Sequence, residues 1–406
     1  MSLKYFHKRV ISNRNNPFFV YRCFIYLHTW RPKPIFLLSL LKQNLVKKLI
    51  VLFFFLNIFT GNLVASQRGI WVVRDALTSK ESISKIISNS KDLKIDTIFL
   101  QFRALGNVYY PTLNNIPQKH VDDELLALLF KTAVQNNIKV HVWLNVCYIW
   151  HKKILPSDPN HIIYRTQNAK VEPTTPGIES EGYYLHPNDN SNLSEIITVI
   201  KELYSLYNID GVHLDYFRYP KEINHVSKIA RTEYMVKHGL DPLIPLSNPK
   251  NFVTERGAEA FYYFQNTYKQ FLRNELTEAL RKIKSGIEEI NPGLKLSVAV
   301  KPNPVEAKHR FMQDWLFWVE NELCDFVVMM NYNPKMPKFK ANIKITKEKI
   351  GLDRIRIGIA TYNIKNEEVL KRIKYVDNDI SAGYVLFSYN SIKKNNRLYN
   401  VLKHFD

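Results

Sequence analysis

An eightfold alternation of short apolar segments with helical segments is the feature that most restricts the fold. The apolar segments are residues 69–73, 96–102, 139–145, 209–214, 295–300, 325–330, 355–360 and 383–388. Continuous apolar runs of this length are typical of parallel strands that helices cover on the outside. Eight such units joined by right-handed crossovers predict an α/β fold, a closed (β/α)8 TIM barrel. A doubly wound open sheet is the alternative, although no glycine-rich phosphate loop follows any strand.

The segments between the strands predict helices and one unusually long loop. Helices are expected over about 78–93, 122–135, 193–207, 254–289, 310–322 and 392–404, with Ser79 or Thr78 suited to cap the first. The loop spans about 148–190 and contains five prolines. Because plain connectors are much shorter, a functional role is expected for this loop.

The first 66 residues have a different character from the rest of the chain. They contain ten Lys and Arg, and no acidic residue precedes Asp75. Lys47 and Lys48 precede an apolar run over 49–59, and small residues follow at 64–66, which is the pattern of a secretory signal. We therefore divide the chain into an N-terminal extension (1–66) and a barrel (67–406), and expect export to the periplasm or cell envelope. An uncleaved anchor, giving membrane association through residues 49–66, is the alternative.

The positive charge is compatible with an anionic partner other than nucleic acid, and a compositional bias of the genome is the alternative explanation. The formal net charge is +20, and the N-terminal extension supplies about half of the excess. No helix-turn-helix, arginine-rich patch or aromatic-studded basic strand is evident, so nucleic acid is not a predicted partner. An anionic polymer such as a cell-wall glycan would be attracted by this charge. The cysteines (Cys23, Cys147 and Cys324) have no metal-binding spacing and are expected to be buried thiols.

The fourth predicted strand changes abruptly from apolar to polar. Ile209, Val212 and Leu214 suit a buried strand, and Gly211 allows close packing at its start. A carboxylate, a guanidinium and two phenols then follow as Asp215, Tyr216, Arg218 and Tyr219. These groups suit a sugar-binding site, although a structural Asp–Arg pair at a strand end is the alternative.

Residues 210–220, Asp-Gly-Val-His-Leu-Asp-Tyr-Phe-Arg-Tyr-Pro, resemble the strand-four signature of the glycosyl hydrolase-like 10 family. This family consists of bacterial (β/α)8-barrel proteins, and at least one branch acts on peptidoglycan glycan strands. Segments 68–72, 141–145, 313–315 and 325–332 also resemble the family, so the resemblance covers the whole predicted barrel. One departure is Leu185-His186-Pro187, where the family tends to read Leu-Asp-Pro.

The active site of such a barrel lies at the C-terminal ends of the strands. Hydrogen-bonding groups among flat aromatic rings suit a pyranose, which presents hydroxyls at its edge and an apolar C–H face. The predicted substrate-binding residues are Arg74, Arg103, Trp143, Asn145, His213, Tyr216, Arg218, Tyr219, Lys301, Asn331, Tyr332, Tyr362 and Tyr389. Each also has a structural interpretation in the barrel core or in surface loops.

Hydrolysis of a glycosidic bond usually needs two carboxyl groups. Asp215 is the main candidate, and Glu306 and Asp75 are equal candidates for its partner. Glu179 and Glu181 in the long loop are further ones. An N-acetyl group on the substrate is another source of the nucleophile, an exception known among glycosidases.

These observations predict a glycoside hydrolase of a bacterial envelope polysaccharide, for which peptidoglycan glycan strands are one candidate. Asp215 would be the acid/base or the nucleophile. A non-catalytic glycan-binding barrel at the envelope is the alternative function, because the second carboxylate is not evident. We predict no metal and no cofactor, since His213 and Asp215 have no obvious source of further ligands. The oligomeric state is not predicted.

Overall fold

A computed structural model describes residues 67–119, 121–151, 154–165, 182–220, 228–380 and 382–405. Its eight barrel strands are β1 (Arg68–Val72), β2 (Thr97–Ala104), β3 (Lys139–Asn145), β4 (Gly211–Asp215), β5 (Lys295–Val300), β6 (Phe326–Met330), β7 (Ile355–Ala360) and β8 (Gly383–Phe387). Each strand pairs in parallel with the next, and β8 pairs with β1. The barrel is therefore closed, which confirms the predicted (β/α)8 fold.

Helices cover the outside of the barrel. They are α1 (Lys80–Asp92), α2 (Asp123–Gln135), α3 (Ile162–Arg165), α4 (Asn190–Tyr207), α5 (Lys228–His238), α6 (Leu243–Ser247), α7 (Pro249–Arg256), α8 (Ala258–Ile290), α9 (Pro304–Arg310), α10 (Trp315–Glu320), α11 (Met336–Ile350), α12 (Asn366–Lys374), α13 (Tyr389–Lys393) and α14 (Asn396–Lys403). A 3-10 turn (Arg74–Ala76) and a π-helical turn (Tyr375–Asp379) add to them. Three short strands, Asn107–Val108, Tyr148–Trp150 and Tyr183–Tyr184, lie in loops at the C-terminal side of β2 and β3.

Local sequence explains where several helices begin and end. Ser79 caps α1 in a capping box, as predicted. The single helix predicted over 254–289 is instead two helices, because Gly257 adopts a φ of +89° between α7 and α8. The helix predicted over 310–322 is shorter and corresponds to α10, because Met312, with a φ of +59°, separates it from α9, which ends at Arg310. A residue with left-handed backbone cannot continue a right-handed helix.

Strand β4 begins two residues later than predicted. Asp210 lies just before it: its backbone N–H donates to the Val140 carbonyl oxygen at 3.1 Å, and its carboxylate accepts from the backbone N–H of Val140 at 2.8 Å. A Cβ at Gly211 would lie 2.6 Å from the ring of His141 and 2.7 Å from the carbonyl oxygen of Lys295. Glycine is therefore required there by close packing, as the sequence indicated.

Two apolar cores form the barrel, and a third cluster (Ile149, Ile162, Ile163 and Leu185) packs the described loop after β3. The larger one lies between the strands and the surrounding helices. The smaller one fills the barrel interior with Trp71, Phe99, Trp143, Val328 and Val385. Because this interior is packed with side chains, a ligand has access only to the ends of the barrel.

The cysteines and the N-terminal extension were also the subject of predictions. Cys147 and Cys324 are buried free thiols, as expected, whereas Cys23 lies outside the described residues. The N-terminal extension (1–66), with its signal or anchor segment, also lies outside them, so the predicted boundary stays a prediction. In the described part of the chain, no helix combines the length and apolar character needed to cross a membrane.

Candidate active site

A cleft of about 390 Å³ opens at the C-terminal ends of the barrel strands. Its lining residues come from most of the strand ends: Trp71, Val73, Arg74, Gln101, Trp143, Asn145, Asp215, Tyr216, Arg218, Lys301, Met330, Tyr332 and Phe387. The set combines aromatic surfaces, amides, cationic side chains and one carboxyl group. This is the composition expected for a site that binds sugar rings.

Asp215 is the last residue of β4 and is 7% exposed. Its Oδ2 accepts a hydrogen bond from Trp143 Nε1 at 3.1 Å, and its Oδ1 accepts one from the backbone N–H of Tyr216 at 2.6 Å. Burial raises the pKa of Asp215 above its ordinary value, and the Tyr216 N–H, Arg218, Trp143 and Lys301 offset only part of this effect. The carboxyl group is therefore fixed in orientation and favours keeping its proton.

Tyr216 turns the chain sharply at the end of β4. Its φ of +49° lies in the left-handed region, which is unusual for a residue with an aromatic side chain. The conformation brings its own N–H to Asp215, and its ring stacks on Tyr148 at 4.8 Å. The Arg218 guanidinium lies 5.2 Å from the Tyr216 ring and 5.1 Å from Phe311. Backbone strain held in place by packing is a common feature of functional sites.

Asn145 lies directly beside Asp215, since the two residues are partners in the β3–β4 register. Its Oδ1 is buried and has no hydrogen-bond partner among the described residues. Below it, Arg103 donates to the Asn145 carbonyl oxygen and forms an ion pair with Glu195 at 2.8 Å. Arg103 thus fixes the end of β3, where Asn145 is one of the residues that line the cleft.

Aromatic side chains form the walls of the cleft. Tyr332 and Phe387 stack at 5.5 Å, and Phe387 also contacts Trp71 at 5.6 Å and Trp143 at 6.3 Å. Burial and the charge of Asp215 raise the pKa of Tyr332 well above its ordinary value, so its phenol stays protonated. These rings offer flat apolar surfaces beside a fixed carboxyl group.

Arg74 occupies the other side of the cleft, on the 3-10 turn after β1. Its guanidinium donates to Gln101 Oε1 and lies 4.6 Å from the centroid of the Tyr109 ring. Both contacts restrict the arginine, so that it presents a directed group of donors rather than a mobile charge.

The structure brings about half of the predicted residues together. Those that line the cleft are Arg74, Trp143, Asn145, Asp215, Tyr216, Arg218, Lys301 and Tyr332. Those that do not are Asp75, Arg103, His213, Tyr219, Glu306, Asn331, Tyr362 and Tyr389. The loop candidates Glu179 and Glu181 lie outside the described residues.

The two equal candidates for the second carboxylate lie away from the cleft lining. Asp75 is exposed and accepts from Asn390 Nδ2 at 2.7 Å. Glu306 is exposed on α9, where its Oε1 pairs with Arg310 at 3.1 Å. Neither residue is among those that line the cleft beside Asp215, and their catalytic roles stay predictions.

The other residues outside the lining have structural partners. The Asn331 amide donates to the Phe339 carbonyl at 3.0 Å and holds the segment after β6, while Tyr389 is buried against Asn89. His213 lies beneath the cleft, and Tyr219 contacts His186. Tyr362 is largely exposed and packs its edge on Phe387 at 6.0 Å, beside the cleft.

Sequence reasoning missed five lining residues: Trp71, Val73, Gln101, Met330 and Phe387. The alternation of side chains along a strand could have identified some of these residues. Trp71 and Val73 alternate with Ile70 and Val72, so one pair must face the barrel interior. Gln101 is a polar residue within an apolar strand, which also marks it as a candidate. Met330 and Phe387 have no such distinguishing chemistry.

Comparison with protein families decides the relationship. The family model described as glycosyl hydrolase-like 10 matches residues 66–377, which is most of the chain. The chain belongs to the glycosyl hydrolase-like 10 family. This confirms the resemblance found in the β4 segment and in the other barrel strands.

One curated protein with similarity to this family member is glycosyl hydrolase YngK of Bacillus subtilis. The two are 22% identical over 166 residues, covering 38% of this chain and 31% of YngK. The match thus spans about a third of that relative. It concerns a protein named as a hydrolase, and it covers too little of either chain to transfer a whole-protein activity.

Solved structures share the barrel. The glycoside hydrolase domain of PgaB (BpsB) from Bordetella bronchiseptica has a TM-score of 0.61 at 15% identity, covering 83% of this chain and 98% of that domain. The catalytic domain of β-amylase from Paenibacillus polymyxa has a TM-score of 0.53 at 11% identity, covering 84% and 97%. At such low identity these similarities establish the fold of this glycosyl hydrolase-like 10 protein.

Proposed function

We propose that the protein is a glycoside hydrolase that acts on a bacterial envelope polysaccharide, with peptidoglycan glycan strands as one candidate. The observation that carries the proposal is Asp215, a buried carboxyl group with a raised pKa in a cleft walled by aromatic rings. The family and the hydrolase folds of its structural relatives support the reaction class. Asp215 lies at the C-terminal end of a barrel strand, which is the region where TIM-barrel enzymes place their catalytic groups.

Asp215 acts best as the general acid. Burial raises its pKa and so favours the protonated form more than in an ordinary aspartic acid, and this proton passes to the glycosidic oxygen as the bond to the anomeric carbon breaks. Trp143 and the Tyr216 N–H then stabilise the carboxylate that forms. Stacking of a pyranose against Tyr332 or Phe387 would hold the ring in place during this step.

The second catalytic group has more than one source. Asp215 is the one carboxyl group among the described cleft residues. If Asp75, Glu306, Glu179 and Glu181 do not serve, a 2-acetamido group of the substrate attacks its own anomeric carbon. The buried Asn145 Oδ1 supports this route, because it could accept a hydrogen bond from the acetamido N–H beside Asp215.

A non-catalytic glycan-binding barrel is the alternative function. The cleft favours this alternative in one respect, because its described lining residues include a single carboxyl group, whereas glycoside hydrolysis usually needs two. A binding protein would use the aromatic walls, Arg74 and Asn145 for recognition and would need no raised pKa at Asp215. Binding without turnover is therefore the outcome that separates the two functions.

The test is release of reducing ends from purified, denuded peptidoglycan, compared with neutral polysaccharides of similar length. The enzyme proposal expects new reducing ends that increase with time and with protein concentration. Retention of the protein on the glycan without new reducing ends would support the binding function. Equal turnover on the neutral polysaccharides would contradict the envelope substrate.

We propose further that the chain is exported and that residues 1–66 serve only to reach the envelope. The apolar run after Lys48 supports this proposal. N-terminal sequencing of the exported protein should begin near Gln67, whereas an uncleaved anchor would leave the full chain in the membrane fraction. Recovery of a full-length soluble cytoplasmic form would contradict both routes.

A further inference from the structure

A second polar cluster lies outside the cleft and has no part in the proposed reaction. His186 precedes α4, Glu233 lies on α5 and Glu275 lies on α8. One ligand atom from each residue, an imidazole nitrogen and two carboxylate oxygens, lies within 4.8 Å of the others. Three separate segments thus converge on one point.

The imidazole of His186 is held in a defined orientation. It is fully buried, and its Nδ1 lies 3.1 Å from the hydroxyl of Tyr219. Its Nε2 lies 3.5 Å from Glu275 Oε2, on the side of the carboxylates. A histidine that binds a metal through one nitrogen characteristically has a hydrogen bond on the other.

Glu275 is oriented in the same way by its neighbours. Asn188 Nδ2 donates to Glu275 Oε2 at 2.9 Å, and Lys282 Nζ donates to Asn188 Oδ1 at 2.8 Å. This chain of hydrogen bonds fixes the carboxylate beside His186. Such outer contacts direct ligands toward a metal ion and adjust its affinity.

The charges of the cluster also favour a cation. One carboxylate oxygen of Glu233 lies within 4.8 Å of one of Glu275. Two negative charges this close repel each other, and a divalent cation between them would offset that repulsion. Glu233 is exposed, so a solvated ion can enter from its side.

We propose that His186 Nε2 and one carboxylate oxygen each of Glu233 and Glu275 bind a divalent transition metal ion, best matched by Zn²⁺. One imidazole and two carboxylates form a donor set that Zn²⁺ accepts with four-coordinate geometry, water filling the fourth position. Mg²⁺ and Ca²⁺ prefer oxygen ligands throughout and fit the imidazole poorly.

The site would stabilise the segment that follows the proposed general acid. Tyr219 lies four positions after Asp215 and contacts His186, while Glu233 and Glu275 belong to the helices that come after this segment. A bound ion would therefore join α5 and α8 to the chain leaving β4. Its role is structural, since none of the three ligands lines the cleft.

The test uses the full chain after dialysis against a chelator, with Zn²⁺ titrated by calorimetry and its effect on the melting temperature measured. Mg²⁺ at the same concentrations is the comparison ion. The ligand variants are Glu233→Gln, which changes an exposed side chain, and His186→Asn. Glu278→Gln is the matched control, because Glu278 is an exposed glutamate on α8 close to Glu275 in sequence.

The expected result is one Zn²⁺ per chain, a higher melting temperature with Zn²⁺ and no comparable effect of Mg²⁺. Each ligand variant should bind Zn²⁺ at least about tenfold more weakly, whereas Glu278→Gln should bind it like the wild type. Absence of stoichiometric binding by the wild type, or unchanged affinity in Glu233→Gln, would overturn the proposal. Glu233→Gln decides the matter even if His186→Asn does not fold.

Discussion

His213 and Asp215 lie two positions apart on the same face of β4, and both are buried, yet they belong to different regions of the barrel. The Nε2 of His213 accepts from Trp71 Nε1 at 3.1 Å, and its Nδ1 lies 2.9 Å from Ser297 Oγ. Burial holds the pKa of His213 well below its ordinary value. Burial raises the pKa of Asp215 instead, so each residue is driven toward its neutral form.

The two regions differ in what their polar groups can still do. Both ring nitrogens of His213 are engaged inside the barrel, so this layer, with Phe99 packed 4.7 Å away, is a structural core. In the cleft, Asn145 Oδ1 has no partner among the described residues, and Asp215 borders about 390 Å³ of open space. Satisfied hydrogen bonds indicate a structural role, and unsatisfied ones beside a cavity indicate a ligand site.

The largest effect is expected from Asp215→Asn. The amide keeps the shape and removes the proton transfer, so turnover on a susceptible glycan should fall by roughly 10²-fold or more. Asn offers one acceptor oxygen where Asp215 accepts from both Trp143 Nε1 and the Tyr216 N–H, so the free energy of unfolding should fall by roughly 1–3 kcal/mol while the variant stays folded. Turnover, glycan pull-down and melting temperature are measured together on wild type and variant.

The paired measurement also shows how the interpretation fails. Equal turnover would remove Asp215 from the mechanism. Loss of turnover together with loss of the fold would make Asp215 a structural partner for Arg218 instead. If Asp215→Asn still binds the glycan but no longer hydrolyses it, Asp215 has a catalytic role that the buried residues of the core layer lack.

The next effect is on stability, from His213→Phe. The ring fits the same space approximately, but Trp71 Nε1 loses its acceptor in a buried position. Leaving a buried donor unpaired should lower the free energy of unfolding by roughly 2 kcal/mol. Chemical denaturation measures this loss, and turnover per folded molecule should stay close to that of the wild type. A turnover defect as large as that of Asp215→Asn would place His213 in the catalytic machinery.

Sequence reasoning predicted the fold well because strand periodicity and apolar runs are local properties. All eight barrel strands were identified within a few residues, and the errors occurred at breaks. Gly257 divides a predicted helix through its positive φ, and the Asp210 carboxylate accepts from the Val140 N–H just before β4 begins. Such choices depend on tertiary neighbours that periodicity does not report.

The candidate site was harder to predict because it depends on which way side chains point and what they contact. Asp215 and Asn145 were found because they end adjacent strands. Arg103 also lies near the end of a strand, but it is buried and donates to Glu195, 92 residues away in sequence, so it does not line the cleft. The His186, Glu233 and Glu275 cluster has ligands far apart in sequence, a spacing that matches no recognisable metal motif.

Acid should weaken the core layer through His141, whose ring packs 5.3 Å from Phe99. Burial lowers the pKa of His141 to about 3, whereas the unfolded chain protonates it near its ordinary value. Stability from this residue is therefore present above the unfolded pKa and is lost as pH falls toward 3. The expected loss is about 1 kcal/mol between pH 7 and 5.5, measured by denaturant titration at each pH.

The variant His141→Phe removes this titration and should flatten the acid side of the stability profile. His404→Phe, which changes an exposed histidine on the surface, is the control. An identical slope in wild type and His141→Phe would mean that other groups produce the acid sensitivity of the barrel. Residual slope is expected in either case, because His213 is also buried with a lowered pKa.

The smallest effect should come from Trp143→Phe, which removes the N–H that donates to Asp215 Oδ2 while keeping an aromatic wall. This hydrogen bond lowers the pKa of Asp215, so its loss should raise that pKa and shift one limb of the pH–rate profile upward by up to about one pH unit. A shift of the alkaline limb identifies Asp215 as the general acid, because the protonated form then persists to higher pH. A shift of the acidic limb identifies it as base or nucleophile.

Trp318→Phe, which loses a hydrogen bond to Thr277 away from the cleft, should leave both limbs in place. An unshifted profile in Trp143→Phe would mean that the ionisation of Asp215 does not control the rate.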